Sequence, residues 1–377
     1  MLAVGAFREE TTRRIQDAAA SVGVGASFLS RWDGATGPSS DEDLLAIVLP
    51  MDGPRAEQTC ANVRAQARLA SVPLFGVTGQ PEDLTFTELF TWGGDDLVGL
   101  GSAQPLARRL RPLVGRAPSG AHPRAGTARG AIVASTDARW RSVMGRALYS
   151  GGYSVRFVTD EVSLAAECAA QGVTVVVAAD DLAREGPAAL VSRARASGSE
   201  AAWIVVSPPK RMALTRAAVE ALGRVAVVDG FAPPENVLFL VNELLASRGV
   251  DKRASARLLY GTTVAFRTAG READEIGFSY NISEAGLYVR TLAPPDPGQQ
   301  VWLEMWAPRS ERRVRLAGSV AWARPFGDTS RATVPAGFGV KLTDGLAGDL
   351  ERWRAGYAAF AATLLGAPAG AAPPAQA

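Results

Sequence analysis

The sequence predicts two doubly wound α/β domains in tandem, followed by a six-stranded β-barrel that carries a C-terminal helix. Three observations point there. A chain of 377 residues exceeds one ordinary hydrophobic core and divides into two or three domains. Up to residue 248, short β-branched runs alternate with helical stretches, the pattern of parallel sheets covered on both faces. Beyond it the hydrophobic period changes to two, the mark of half-buried antiparallel strands.

The first segment, 1–116, opens on LAVGAF at Leu2 and continues with the helical EETTRRIQDAAASVG and the apolar runs LLAIVL and VPLFGVT. The second, 129–248, repeats that grammar with AIVAS at Ala131, the helical ARWRSVMGRALYSGG, then VRFV, VTVVVAA and AWIVVS, and closes on PPENVLFLVNELLASRG. Between them Ala117 to Ala128 (APSGAHPRAGTA) has linker composition, and a short basic joint runs from Arg248 to Lys252. The third segment spans 249–365, and the Ala/Pro-rich 366–377 is expected to be a disordered tail.

In the third segment Val264/Phe266, Ile276/Phe278, Leu287/Val289, Val301/Leu303/Met305, Val314/Leu316, Val320/Trp322 and Phe338/Val340/Leu342 alternate at i, i+2. Turn signals separate them, among them PPDPG at Pro294 to Gly298. Closing such strands into a barrel removes exposed edges. Leu350, Trp353, Tyr357, Phe360 and Leu364 then form one apolar stripe at helical spacing, expected to pack on the core.

Composition narrows the function. Hydrophobic residues make up 47%, charged residues 21%, and the net charge is +2, which leaves no basic footprint for a nucleic-acid polymer. His122 is the sole histidine and lies in the linker, which excludes most triad, His-base and zinc chemistry, so neither a metal, a cofactor nor an enzyme is expected. Cys60 and Cys168 read as two buried thiols in separate helices rather than a disulfide. The N-terminus turns charged too early for a signal peptide, and no apolar run reaches the roughly 20 residues of a membrane span, so a cytoplasmic protein is expected.

The strongest motif brackets the first strands of the third segment. Arg253-Ala-Ser-Ala-Arg257 precedes them, and Asn281-Ile-Ser-Glu-Ala-Gly286 follows a strand pair later. RxxxR alone is weak, since it recurs at Arg64/Arg68, Arg267/Arg271 and Arg309/Arg313; NxSxxG occurs once, and only Arg253/Arg257 stands in the right order before it. This layout resembles the PilZ domain family. The late Gly337-Phe338-Gly339-Val340-Lys341-Leu342 and Trp322 in SVAWAR extend the resemblance. It implies cyclic di-GMP as the ligand, held by Arg253, Arg257, Asn281, Ser283 and Gly286. Arg suits the task because its planar donor fork matches both a phosphate and the O6/N7 edge of guanine. Asn281 and Ser283 supply short polar groups for the other guanine edge or a phosphate oxygen, and Gly286 permits a tight turn and close backbone approach. Many members carry a second Arg just before the motif; here that position is Lys252, an additional candidate, and nucleotide stoichiometry stays open.

Both N-terminal segments resemble response-regulator receiver domains, which are doubly wound and flavodoxin-like. Thr78 ends a fourth strand in the first, with GGDDLVG from Gly93 beyond it; Ser207 ends the corresponding strand in the second. Phosphotransfer in such domains needs an acidic pair after the first strand, an Asp after the third and a Lys. Gly5/Ala6 and Ala134/Ser135 occupy the first positions. Ala46 to Leu49 and Ala178 occupy the second, with Asp52 and Asp180 in the loops beyond. Leu100 and Asp229 fall at the third. These are therefore expected to be pseudo-receivers, modules for protein interaction whose final helix and strand also offer a homodimer contact.

The leading expectation is a cyclic di-GMP-binding adaptor in which nucleotide orders the joint at Arg248 to Arg257 and partner proteins of motility, polarity or surface behaviour read the result. The alternative is a nucleotide-independent scaffold acting through the pseudo-receivers.

Overall fold

The computed structural model describes residues 1–32, 44–66, 69, 72–115, 129–170, 172–230, 232–246, 256–270, 273–327 and 334–365. The chain divides into two compact units, Met1–Lys252 with Arg324–Ala336, and Arg253–Ala323 with Gly337–Ala377.

The first unit holds two parallel sheets. Strands β1 (Leu2–Val4), β2 (Ser27–Leu29), β3 (Ile47–Pro50), β4 (Leu74–Thr78) and β5 (Asp96–Gly99) lie in the order β2-β1-β3-β4-β5. Strands β6 (Arg129–Ala134), β7 (Tyr153–Val158), β8 (Val173–Ala179), β9 (Ala202–Ser207) and β10 (Val225–Asp229) repeat it as β7-β6-β8-β9-β10. That 2-1-3-4-5 order is flavodoxin-like. Central strands are continuous apolar runs because helices cover both faces: Ile47, Val48, Leu49, Leu74 and Phe75 are fully buried, as are Val175 to Val177. At the edge, β7 alternates instead and leaves Phe157 half exposed.

Helices α1 (Glu9–Ala20), α2 (Ala56–Arg64), α3 (Asp83–Thr91) and α4 (Gln104–Leu110) accompany the first sheet. The second carries α5 (Ala138–Ser150), α6 (Glu161–Cys168), α7 (Pro187–Ala196), α8 (Pro209–Val219) and α9 (Asn236–Ala246). Asp137 starts α5 by accepting the N–H groups of Arg139 and Trp140 at 2.8 and 3.1 Å, and Asp160 starts α6 through Ser163. Cys60 on α2 and Cys168 on α6 are buried, free thiols. Burial pushes their pKa values up to about 12 and about 11, so both stay protonated and inert.

The two sheets share one compact unit, and a shared carboxylate joins them. Asp95, at the head of β5, accepts from Arg64 of α2 at 2.8 Å and from Arg146 of α5 at 2.5 Å. Burial opposes its ionisation, but the guanidiniums of Arg146 and Arg64 outweigh that and hold the carboxyl below the usual carboxylate range. Arg64 is wholly buried, which pulls it down to about 10, and it also donates to the carbonyls of Gly93, Leu69 and Val72. The linker expected at 117–128 lies outside the described residues.

The second unit is a closed antiparallel barrel. After the two-residue β11 (Leu258–Leu259) come β12 (Thr263–Thr268), β13 (Glu275–Ser283), β14 (Gly286–Arg290), β15 (Gln300–Trp306), β16 (Arg313–Arg324) and β17 (Gly337–Gly345). Six of them form the ring β13-β12-β15-β16-β17-β14, closed by β13 against β14, with β11 added along β13. The alternations at Val314/Leu316 and Val320/Trp322 belong to the single long strand β16. Helix α10 (Asp349–Leu365) packs on the core: Trp353 is fully buried, Tyr357 nearly so, and Leu350 and Phe360 partly. Leu364 departs from its expected place in the stripe; it stands 56% exposed one turn beyond Phe360, past the barrel surface the helix covers.

Candidate functional site

A bulge in β13 decides what the site contains. Ser279 pairs with Val289 but Asn281 pairs with Tyr288, leaving Tyr280 as the extra residue. One inserted residue reverses the side-chain phase of a strand. Before the bulge Gly277 faces inward, since a Cβ there would meet Val289 and Phe266 of the core; after it the inward residue is Ile282. The inward positions on this strand are thus Gly277 and Ile282, where alternation alone pointed to Ile276 and Phe278. Asn281 and Ser283 consequently face the outer wall of the barrel. Ser279 Oγ secures the bulge by donating to Tyr260 O at 2.5 Å while accepting from the N–H of Thr262 at 2.9 Å.

Outward positions of neighbouring strands complete a cavity of about 200 Å³ on that wall. Asn281 and Ser283 from β13, Gly286 and Tyr288 from β14, Trp322 from β16, and Gly339 and Lys341 from β17 line it, with Arg257 just ahead of β11. Arg257 is exposed and Asn281 only 5% exposed. Two glycines shape the wall. A Cβ at Gly286 would lie 2.2 Å from Val340 O, so only glycine lets β14 approach β17 this closely. A Cβ at Gly339 would stand 2.6 Å from Trp322 Nε1, so the indole lies flat over a bare stretch of backbone. Tyr288 stacks on Trp322 at 4.9 Å with 29° between the planes. The lining residues bring two cationic side chains, a carboxamide, hydroxyls and an aromatic pair, and no carboxylate is among them. That chemistry suits an anion bearing a planar base.

Of the residues predicted from sequence, Arg257, Asn281, Ser283 and Gly286 therefore share one cavity. Arg253 and Lys252 lie outside the described residues. Tyr288 was missed as a lining residue, although the inward Leu287/Val289 alternation implies that it faces out. Ser283 keeps its turn tight, its hydroxyl donating to Gly286 O at 3.2 Å.

The carboxyl ends of the parallel strands in the first unit are arranged differently. Asp180 follows β8 directly, 7% exposed, and accepts from Ser207 Oγ at 2.6 Å and from Arg211 at 2.5 Å; Ser207 in turn meets Thr215 Oγ1 at 3.1 Å. In the first sheet Thr78 meets Asp52 at 3.3 Å. Each Asp lies in the loop beyond the third strand of its sheet, and Ala134 ends β6 with Ser135 next, where an acidic pair would stand. Among the described residues no group of three or more His, Cys, Asp or Glu could hold a metal ion. Among the same residues no helix is long and apolar enough to cross a membrane.

A sequence-family model for the PilZ domain matches residues 251–356. A search of curated proteins finds no match to the chain. Among solved structures, the Bacillus subtilis inhibitor of motility MotI/DgrA is similar at 18% identity and a TM-score of 0.26, over 30% of this chain; the chain spans only 54% of that protein. The signal receiver domain of an HD domain-containing protein from Pseudomonas fluorescens Pf-5 is 14% identical over 32% of this chain and 97% of that one, with a TM-score of 0.29. A putative two-component response regulator/GGDEF domain protein is 15% identical over 65% of this chain and 98% of that one, with a TM-score of 0.31. The fold assignment rests on the strand orders above. The part of the chain that matches the PilZ domain is thus its C-terminal barrel, preceded in sequence by two flavodoxin-like α/β domains.

Proposed function

We propose that the barrel binds cyclic di-GMP on its outer wall and that the chain is a non-enzymatic adaptor passing nucleotide occupancy to a protein partner. The observation that carries this reading is the convergence of Arg257, Asn281, Ser283 and Gly286 on one cavity beside a stacked aromatic pair. Arg257 addresses a phosphate or the O6/N7 edge of a guanine with its bidentate fork. Lys341 neutralises a phosphate as a point charge. The carboxamide of Asn281 and the hydroxyl of Ser283 take a base edge or a phosphate oxygen, and the Trp322/Tyr288 pair offers a face for a purine. A cavity of about 200 Å³ is smaller than the ~300–1,000 Å³ that encloses a whole drug-sized ligand, so it takes part of a dinucleotide. Arg253 and Lys252, a few residues before Arg257, are proposed to hold the rest.

The receiver-like domains serve as docking modules rather than phosphoacceptors, because Asp180 is engaged by Ser207 and Arg211 and no acidic pair follows β6. On this reading the chain works in the cytoplasm, and any homodimer forms through those domains.

Isothermal titration of the full chain with cyclic di-GMP tests the site. Loss of a charge-assisted bidentate contact weakens binding about 10- to 100-fold, which is the effect expected for Arg257→Ala. Ser283→Ala should weaken it as well. Wild-type affinity in both variants would refute the site, and normal behaviour in vivo of an Arg253/Arg257 double alanine variant would favour the nucleotide-independent scaffold.

A further inference from the structure

The stripe on α10 does more than cover the core. Three of its members, Trp353, Tyr357 and Phe360, reach two of the chain segments that supply the cavity. Trp353 Nε1 donates to the carbonyl of Ser283 at 3.3 Å. One turn later Tyr357 Oη donates to the carbonyl of Ala256, the residue before Arg257, at 2.6 Å. Phe360 then meets the ring of Tyr260 edge-on at 5.6 Å. Buried Trp and Tyr need a partner for their polar tips, and many backbone carbonyls could serve. Here both partners are main-chain atoms of the segments that carry Arg257 and Ser283, which lie far apart in sequence. One helix therefore holds these two segments of the site in register.

We propose that Tyr357 is a positioning residue for Arg257, with α10 acting as the clamp that sets the spacing between the Arg257 segment and the Ser283 turn. The inference rests on the cyclic di-GMP reading and deepens it. Arg257 is an exposed side chain just ahead of the two-residue β11. The Tyr357 hydroxyl ties down the peptide immediately before it, and the Tyr260/Phe360 contact ties down the residues after it. Nucleotide that fixes Arg257 must accordingly also tighten α10, giving occupancy a readout on a surface helix.

Two measurements on the full chain test this. In the first, cyclic di-GMP is titrated into Tyr357→Phe, which keeps the ring and removes only the donor. Affinity should fall about five- to tenfold, the size of one hydrogen bond. The loss should shrink below about twofold in an Arg257→Ala background and persist in a Ser283→Ala background, since coupling appears only between groups that act together. Wild-type affinity for Tyr357→Phe, or losses that multiply fully with Arg257→Ala, would overturn the assignment. The second measurement needs no nucleotide: amide exchange at Leu258 and Leu259 should accelerate in Tyr357→Phe relative to wild type. Unchanged exchange defeats the clamp even if the nucleotide binds, whereas faster exchange in a chain that binds no cyclic di-GMP keeps the clamp and removes the functional reading. Should Tyr357→Phe not fold, Phe360→Leu, which removes the ring contact to Tyr260, carries the same two readouts.

Discussion

The two units place their polar side chains in opposite ways. At the strand ends of the α/β sheets, polar groups satisfy one another: Asp180 with Ser207 and Arg211, Thr78 with Asp52, Asp95 with Arg64 and Arg146. On the barrel wall Arg257, Lys341, Asn281 and Ser283 gather where no lining residue is a carboxylate. The first arrangement pairs its polar groups within the fold and stabilises structure; the second gathers cationic, amide, hydroxyl and aromatic side chains around a cavity. Fold alone would have suggested the reverse, because the carboxyl ends of parallel strands are the usual ligand site of an open α/β sheet.

The largest expected effect tests the structural side of that contrast. Asp95→Asn leaves the buried Arg64 without its counter-charge and should cost about 3–5 kcal/mol in urea unfolding of the first unit. The pH dependence has a definite sign. A carboxyl held below its usual value stabilises the fold above the unfolded value near 4 and loses that contribution as pH falls through the lower folded value. Wild type should therefore destabilise more steeply than Asp95→Asn as pH falls below about 4. Equal slopes would show that Asp95 is not the ionised partner of Arg64 and Arg146.

Next in size comes the wall of the cavity. Gly286→Ala places a methyl against Val340 O and must prise β14 from β17, an overpacking cost of about 1–3 kcal/mol. Thermal unfolding followed at the barrel tryptophans should show it, together with weaker cyclic di-GMP binding. An Ala variant as stable as wild type would mean the strands part without penalty.

Smaller still is the effect of Ser207→Ala, which takes one hydrogen bond from Asp180 and leaves the Arg211 contact; about 1 kcal/mol is expected. A labelling experiment on wild type sharpens the comparison in chemical terms. Incubation with acetyl phosphate should label neither Asp52 nor Asp180 in wild type, and a stable acyl phosphate found by mass spectrometry at either would move the α/β ends from structural to functional.

Much of this was legible in residue patterns. The switch from helical and continuous-strand grammar to two-residue alternation marks the passage from sheets to barrel, because burial on two faces and burial on one leave different periods. The order of Arg257, Asn281, Ser283 and Gly286 was readable because NxSxxG occurs once. Tyr288 and the bulge were not read: alternation gives relative phase along a strand, and an inserted residue such as Tyr280 resets it without a local signal. The sharing of Asp95 between Arg64 and Arg146 had none either, since ion pairing between distant segments depends on packing.

What the amino-acid order determined by itself was the kind of element at each place and the residue types available to a ligand, since propensity, period and motif are local. Which face those residues occupy, and what holds them there, was decided only by tertiary structure. The bulge turns Asn281 and Ser283 outward, and closure of β13 on β14 brings Tyr288 beside them. Tyr357 fastens Ala256 from 101 residues away, a contact that exists only once the barrel and its helix have packed.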